Sequence, residues 1–117
     1  MVDFLEKSKG SGKILRISGE MTIQHADEIR SALLQTLESS DSVELDVKKV
    51  TMIDLAGLQL IYSAYLLSKE QNKYLGFGKK IPQVVLTAVD RSGFCFYVEE
   101  MMNLKCKGGS TGGDDEQ

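Results

Sequence analysis

The sequence predicts an α/β domain in which a mixed, mostly parallel sheet opens on an antiparallel hairpin, with elements in the order β-β-α-β-α-β-α. Three observations carry this. Two short apolar runs near the start flank a Gly-punctuated turn, a helical stripe follows, and period-two runs then alternate with helical ones. Strands alternating with helices imply right-handed crossovers and a sheet that is parallel after its initial hairpin. With 117 residues the chain holds one core and not two, and 42% hydrophobic with 26% charged residues is a globular balance.

The hairpin is read from Phe4-Leu5-Glu6-Lys7 and Ile14-Leu15-Arg16-Ile17 around Ser8-Lys9-Gly10-Ser11-Gly12. Thr22, after Gly19, is suited to cap a first helix, with Asp27 and Glu28 near its positive end. Ile23, Ala26, Ile29, Leu33 and Leu37 form its apolar stripe through about residue 38. Val43-Glu44-Leu45-Asp46-Val47 alternates as a strand, and Val50-Thr51-Met52-Ile53 leads to Asp54. Asp54 is the expected N-cap of a second helix over Leu55 to Lys69, which contains no proline. Gly76-Phe77-Gly78 reads as a turn. Pro82 suits the first residue of a strand, Val84-Val85-Leu86-Thr87 reads as a buried strand, and a third helix is expected over about Ser92–Met102.

The domain is expected over residues 1–106, followed by a flexible Gly/Ser/acidic tail over 107–117 that has no hydrophobic residue to bury. The formal charge is −3, of which the tail carries −2 and residues 1–106 carry −1. A nearly neutral fold with only the short clusters Lys48-Lys49 and Lys79-Lys80 argues against nucleic acid as a partner. No signal-peptide run and no 18-residue apolar stretch occur, so a soluble, cytoplasmic protein without membrane insertion is expected. Cys95 and Cys106 lie eleven apart with no CxxC, which fits a reducing compartment better than a disulfide or zinc framework.

Catalytic machinery is scarce, and no enzyme activity, metal or cofactor is expected. The one histidine, His25, falls in the first turn of the first helix, away from its apolar stripe, and is read as solvent-exposed. No GxGxxG or GxxxxGK[ST] occurs. Glu44 and Asp46 could pair as carboxylates, but their alternation with Val43, Leu45 and Val47 reads as the polar face of a half-buried strand.

The second helix is apolar around most of its circumference, with Gln59, Ser63 and Glu70 in a narrow polar stripe. Leu55, Tyr62 and Leu66 line its edge. Either another helix covers them, or they form a docking stripe for a partner.

At Val50-Thr51-Met52-Ile53-Asp54-Leu55-Ala56-Gly57-Leu58 the sequence resembles the STAS family, the sulfate-transporter and anti-sigma-factor-antagonist domain, whose signature runs from an apolar strand through Asp, Ser or Thr, a small residue and Gly into a helix. Leu15 to Thr22, the first helix and Val43 to Val47 are also similar in kind and spacing, so the likeness covers about residues 12–70. Where the family carries a phosphorylatable Ser or Thr, this chain has Leu55, which has no oxygen to modify. Thr51 and Ser63 are hydroxyls nearby, but neither sits at that position.

The resemblance implies a STAS-like fold and a partner-binding end. It places that surface on Glu20, Met21 and Thr22, on Asp54, Leu55, Ala56, Gly57 and Leu58, and on Arg91 in the loop Asp90–Gly93 expected after the fourth strand; the stripe read from the spacing of the second helix adds Tyr62 and Leu66. It implies a bacterial regulatory module whose partner is an anti-sigma factor or GHKL-type kinase, without the usual phosphorylation switch. Two other readings remain open: an accessory subunit of a membrane transporter, and a small-ligand or nucleotide sensor. A homodimer is compatible with each.

Overall fold

The computed structural model describes residues 2–78 and 80–93. Strand β1 (Val2–Lys9) turns through Gly10-Ser11 into β2 (Gly12–Met21), antiparallel from Val2↔Gly19 to Lys9↔Gly12. A 3-10 turn over Ile23–His25 leads into α1 (Ala26–Ser39), whose Ile29, Leu33 and Leu37 recur every fourth residue and are all buried. Strand β3 (Ser42–Ile53) follows, then α2 (Leu55–Glu70), β4 (Tyr74–Phe77) and α3 (Gln83–Ser92). The sheet order is β1-β2-β3-β4, with β3 parallel to both β2 and β4. The predicted class and element order therefore hold.

The two runs read around Lys48-Lys49 are one strand with two register shifts against β2, between Arg16 and Ser18 and between Gly19 and Glu20. At each shift β3 supplies one residue more than β2, and the extra residue resets which side chains face inward. The buried positions therefore run Val43, Leu45, Val47 and then Val50 and Ile53, with Lys48-Lys49 and Thr51-Met52 outside.

Two elements differ from expectation. The strand expected at Val84–Thr87 is instead the first half of α3. Density of β-branched residues favours a strand locally, but Val85 and Val89 lie one helical turn apart and are both buried, so tertiary burial decides. Pro82 is the N-cap residue of this helix and not a strand start, and Gly93 ends it at φ +77°, where a side chain would be strained. The fourth strand lies earlier, at Tyr74–Phe77, so Gly76 is a buried strand residue and not part of a turn. The helix expected over Ser92–Met102 keeps only Ser92, as the last residue of α3; its remainder beyond Gly93, and the tail over 107–117, lie outside the described residues.

The helices cover one face of the sheet. Leu15, Ile17, Leu45 and Val47 from the strands meet Ile29, Leu33, Leu58, Ile61, Val85 and Val89 in a continuous core. The opposite face carries Leu5, Lys7, Lys9, Ile14, Arg16, Glu44, Asp46 and Lys48 around an open depression. Glu44 and Asp46 are its acidic side chains: Glu44 pairs with Lys9 at 3.2 Å, and Asp46 with Arg16 at 3.1 Å.

Burial of Asp46 opposes its ionisation, but the Lys48 backbone N–H, donating at 3.1 Å, and the Arg16 side chain outweigh it and hold the carboxyl below its ordinary value. A carboxyl with a lower value folded than unfolded stabilises fully above the unfolded value, near pH 4, and that contribution is lost as pH falls through the folded value. Asp46→Asn should therefore lower the denaturant midpoint at pH 7 more than at pH 3. An equal loss at both would show that the charge of Asp46 contributes nothing.

Candidate functional site

Parallel β2 and β3 end together, with Met21 opposite Ile53, so the segments leaving them rise at one end of the sheet. Open α/β folds place binding loops at this end. The backbone N–H of Asp54 donates to the Met21 carbonyl at 3.3 Å and closes the end.

Asp54 is the N-cap of α2, as its sequence position predicts. Its Oδ1 accepts the Gly57 N–H at 3.0 Å, and its Oδ2 accepts the Ile23 N–H, also at 3.0 Å. One carboxylate thus serves two helix starts, with one bond inside its own helix and one across to the 3-10 turn. Thr22 precedes that turn but makes no side-chain cap bond, so the capping expected of Thr22 comes from Asp54. Loss of an N-cap typically costs about 0.5–2 kcal/mol. Asp54→Ala should fall in the upper half of that range by urea melt, because two N–H groups lose their acceptor. A change near zero would mean that water replaces both bonds without loss.

Gly57 lies against this end from inside. A Cβ there would overlap the Met21 carbonyl oxygen and stand 3.0 Å from Ile53 Cγ1. Met21 and Leu58, 0% and 2% exposed, are core residues that support the surface from beneath. The outward side chain of this turn is Leu55, which is 48% exposed. Ile23, expected in the apolar stripe of the first helix, stands 66% exposed, because the 3-10 turn breaks the helical phase before Ala26. No pattern in the sequence distinguishes that turn from the start of the helix.

Glu20 lies beside the 3-10 turn, and His25 is the last residue of that turn. His25 is half-buried, with Nδ1 3.1 Å from Glu28 and Nε2 3.7 Å from Glu20, and differs from the solvent-exposed reading of the sequence. Arg91 sits in the last turn of α3 and not in a loop after a strand, because α3 occupies the segment read as that strand. It still reaches the same end: a groove of about 500 Å³ between the α2 start and α3 is lined by Leu55, Leu58, Val84, Thr87, Ala88 and Arg91. Ala56 is half-buried beside it.

Tyr62 and Leu66 lie further along α2. Leu66 is 49% exposed, whereas Tyr62 packs partly on the core and stacks on Tyr65 with ring centroids 6.4 Å apart. Leu55 and Leu66 are about 16 Å apart along the helix axis, so the edge is two exposed leucines separated by a partly covered ring. Among the described residues no cluster of His, Cys, Asp and Glu could hold a metal ion, and no helix is long and apolar enough to cross a membrane.

Comparison with curated proteins gives no significant match. Among solved structures, an anti-sigma factor antagonist from Mycobacterium paratuberculosis superposes with a TM-score of 0.69 at 14% identity, over 92% of this chain and 87% of that one. The Bacillus cell fate determinant SpoIIAA in its phosphorylated form gives 0.62 at 12% identity, over 90% and 93%. The anti-sigma factor antagonist SpoIIAA in its unphosphorylated form gives 0.55 at 13% identity, over 73% and 80%. At such identities these are likenesses of fold. The sequence supplies the rest: residues 4–95, from β1 past the end of α3, match the family described as "Mlab, STAS domain", and the chain belongs to the STAS family.

Proposed function

We propose that this chain is a non-enzymatic regulatory module of the bacterial cytoplasm that docks a protein partner at the loop-bearing end, without a phosphorylation switch there. The observation that carries the reading is Leu55, 48% exposed in the first turn of α2, at the position where the family signature has a hydroxyl. With Ile23 beside the same Asp54, it makes an apolar patch next to the groove that reaches Arg91. Exposed apolar surface rimmed by polar groups is the usual mark of a protein-binding site. Glu20, Thr22, Asp54 and Arg91 form the rim, the half-buried Ala56 adjoins Leu55, and Met21, Gly57 and Leu58 fix the patch's shape from below. An anti-sigma factor or GHKL-type kinase is the family partner. The exposed Leu66 favours a second reading, in which α2 lies along a transporter subunit.

Two measurements on the full chain test this. Capture from extracts of the source cell, followed by identification, should retain a signalling or transporter protein; retention of nucleotide alone would overturn the proposal. Incubation with a family kinase and ATP should leave Thr51, Ser63 and the α2 start unmodified by mass spectrometry, whereas Leu55→Ser should gain a phosphate. That phosphate would sit among free N–H groups at a helix start, although beside the Asp54 charge. Stoichiometric phosphate on Thr51 or Ser63 of the native chain would show that a switch exists elsewhere.

A further inference from the structure

We propose that two copies of this chain pair antiparallel along β1, in a register centred on Leu5. The sheet order leaves β1 at an edge, and no described strand lies on its outer side. The hairpin decides which backbone groups face outward. A two-residue turn closes on a hydrogen-bonded pair, here Lys9↔Gly12, and the alternation of an antiparallel ladder makes Lys7↔Ile14, Leu5↔Arg16 and Asp3↔Ser18 hydrogen-bonded in turn. The N–H and C=O groups of Val2, Phe4, Glu6 and Ser8 therefore point to the free edge. An exposed edge of this kind is a template for another strand.

Self-pairing about a two-fold axis must set outward groups against outward groups, which requires the axis to pass at a residue. Centred on Leu5, the register places Phe4 opposite Glu6 and Val2 opposite Ser8 as hydrogen-bonded pairs. It places Leu5 opposite Leu5, and Asp3 opposite Lys7 on both sides of it, as non-hydrogen-bonded pairs, whose Cα atoms approach to about 4.5 Å and whose side chains lie closer. Asp3, Leu5 and Lys7 are all exposed, and share one face of the strand. Leu5 is 46% exposed, and neither Asp3 nor Lys7 has an ion partner among the described residues.

Neighbouring registers lose this match. Centred on Glu6, two carboxylates oppose each other and Leu5 meets Lys7; centred on Phe4, Asp3 meets Leu5 and the paired length shortens. The Leu5 register joins the two sheets into one, with both helical layers on the same side and the two loop-bearing ends pointing in opposite directions. Both copies would keep their candidate sites open.

The test uses the full chain and sedimentation equilibrium, with circular dichroism as the control for folding. The native chain should dimerise. Asp3→Lys and Lys7→Asp, each setting like charges opposite, should weaken the dimer roughly tenfold or more, and the double variant D3K/K7D should restore it. In a background with Cys95→Ser and Cys106→Ser, Leu5→Cys should form an intermolecular disulfide under mild oxidation, since the expected Cα separation lies within disulfide range. A native chain that stays monomeric, a dimer indifferent to both charge changes, failure of the double variant to recover, or no cross-link at Cys in place of Leu5 would each overturn the proposal. The first and last are also the results expected if another segment covers β1.

Discussion

Gly57→Val should lower stability by on the order of 3 kcal/mol, the largest effect expected of any single substitution at the loop-bearing end. Two terms oppose each other at this position. Glycine inside a helix is about 1 kcal/mol worse than alanine, so Gly57→Ala gains on propensity. Against that stands the overlap of a Cβ with the Met21 carbonyl oxygen and its approach to Ile53 Cγ1 at 3.0 Å. The overlapping partner is backbone at the end of β2, and Met21 is fully buried, so the neighbour cannot move aside cheaply. Overpacking of this kind typically costs about 1–3 kcal/mol, which meets or exceeds the propensity gain for Ala and clearly exceeds it for the larger, β-branched Val. Urea melts of the two variants would decide it: a Gly57→Val midpoint within about 0.5 kcal/mol of wild type would mean that α2 slides away from β2 freely.

Leu55→Asp should do the reverse, leaving the fold intact and removing binding. A side chain 48% exposed in the first turn of a helix contributes little to the core. Surface substitutions usually stay within about 0.5 kcal/mol, and a carboxylate near a helix start gains from the dipole. At the centre of a docking patch, truncations commonly cost more than 1 kcal/mol, and a buried unpaired charge costs more still. Binding to the partner retained by the native chain should weaken at least tenfold, equivalent to about 1.4 kcal/mol. Loss of stability with binding per folded molecule unchanged would make Leu55 a packing residue and move the docking surface to Ile23 and the α3 groove.

These expectations draw on parts of the sequence that differ in how directly they encode structure. The hairpin and α1 follow from local periodicity, and Asp54 from its place between an apolar strand and a helical run. Its second bond, to Ile23, joins residues far apart in the chain, and no local pattern encodes it. Ile23 itself falls in phase with Ile29 and Leu33 only if the helix begins early, and a single 3-10 turn removes that phase. In β3 the alternation breaks at each register shift, so period two alone follows the strand only as far as Val47. In α3 the decisive spacing, Val85 to Val89, spans a single turn, too short to outweigh four residues with strand character. The family signature pointed to the end of the sheet where the proposed surface lies, while the exposure of Ile23 and the α3 wall of the groove arise only from packing.

The shared carboxylate also gives the loop-bearing end a common tempo. When α2 frays at its first turn, Asp54 swings away, and the 3-10 turn loses the acceptor of its first N–H at the same moment. Fraying that carries Asp54 away therefore uncaps both starts together. The starts bearing Ile23 and Leu55 thus hang on one anchor, so an event that removes it alters both halves of the proposed docking surface at once.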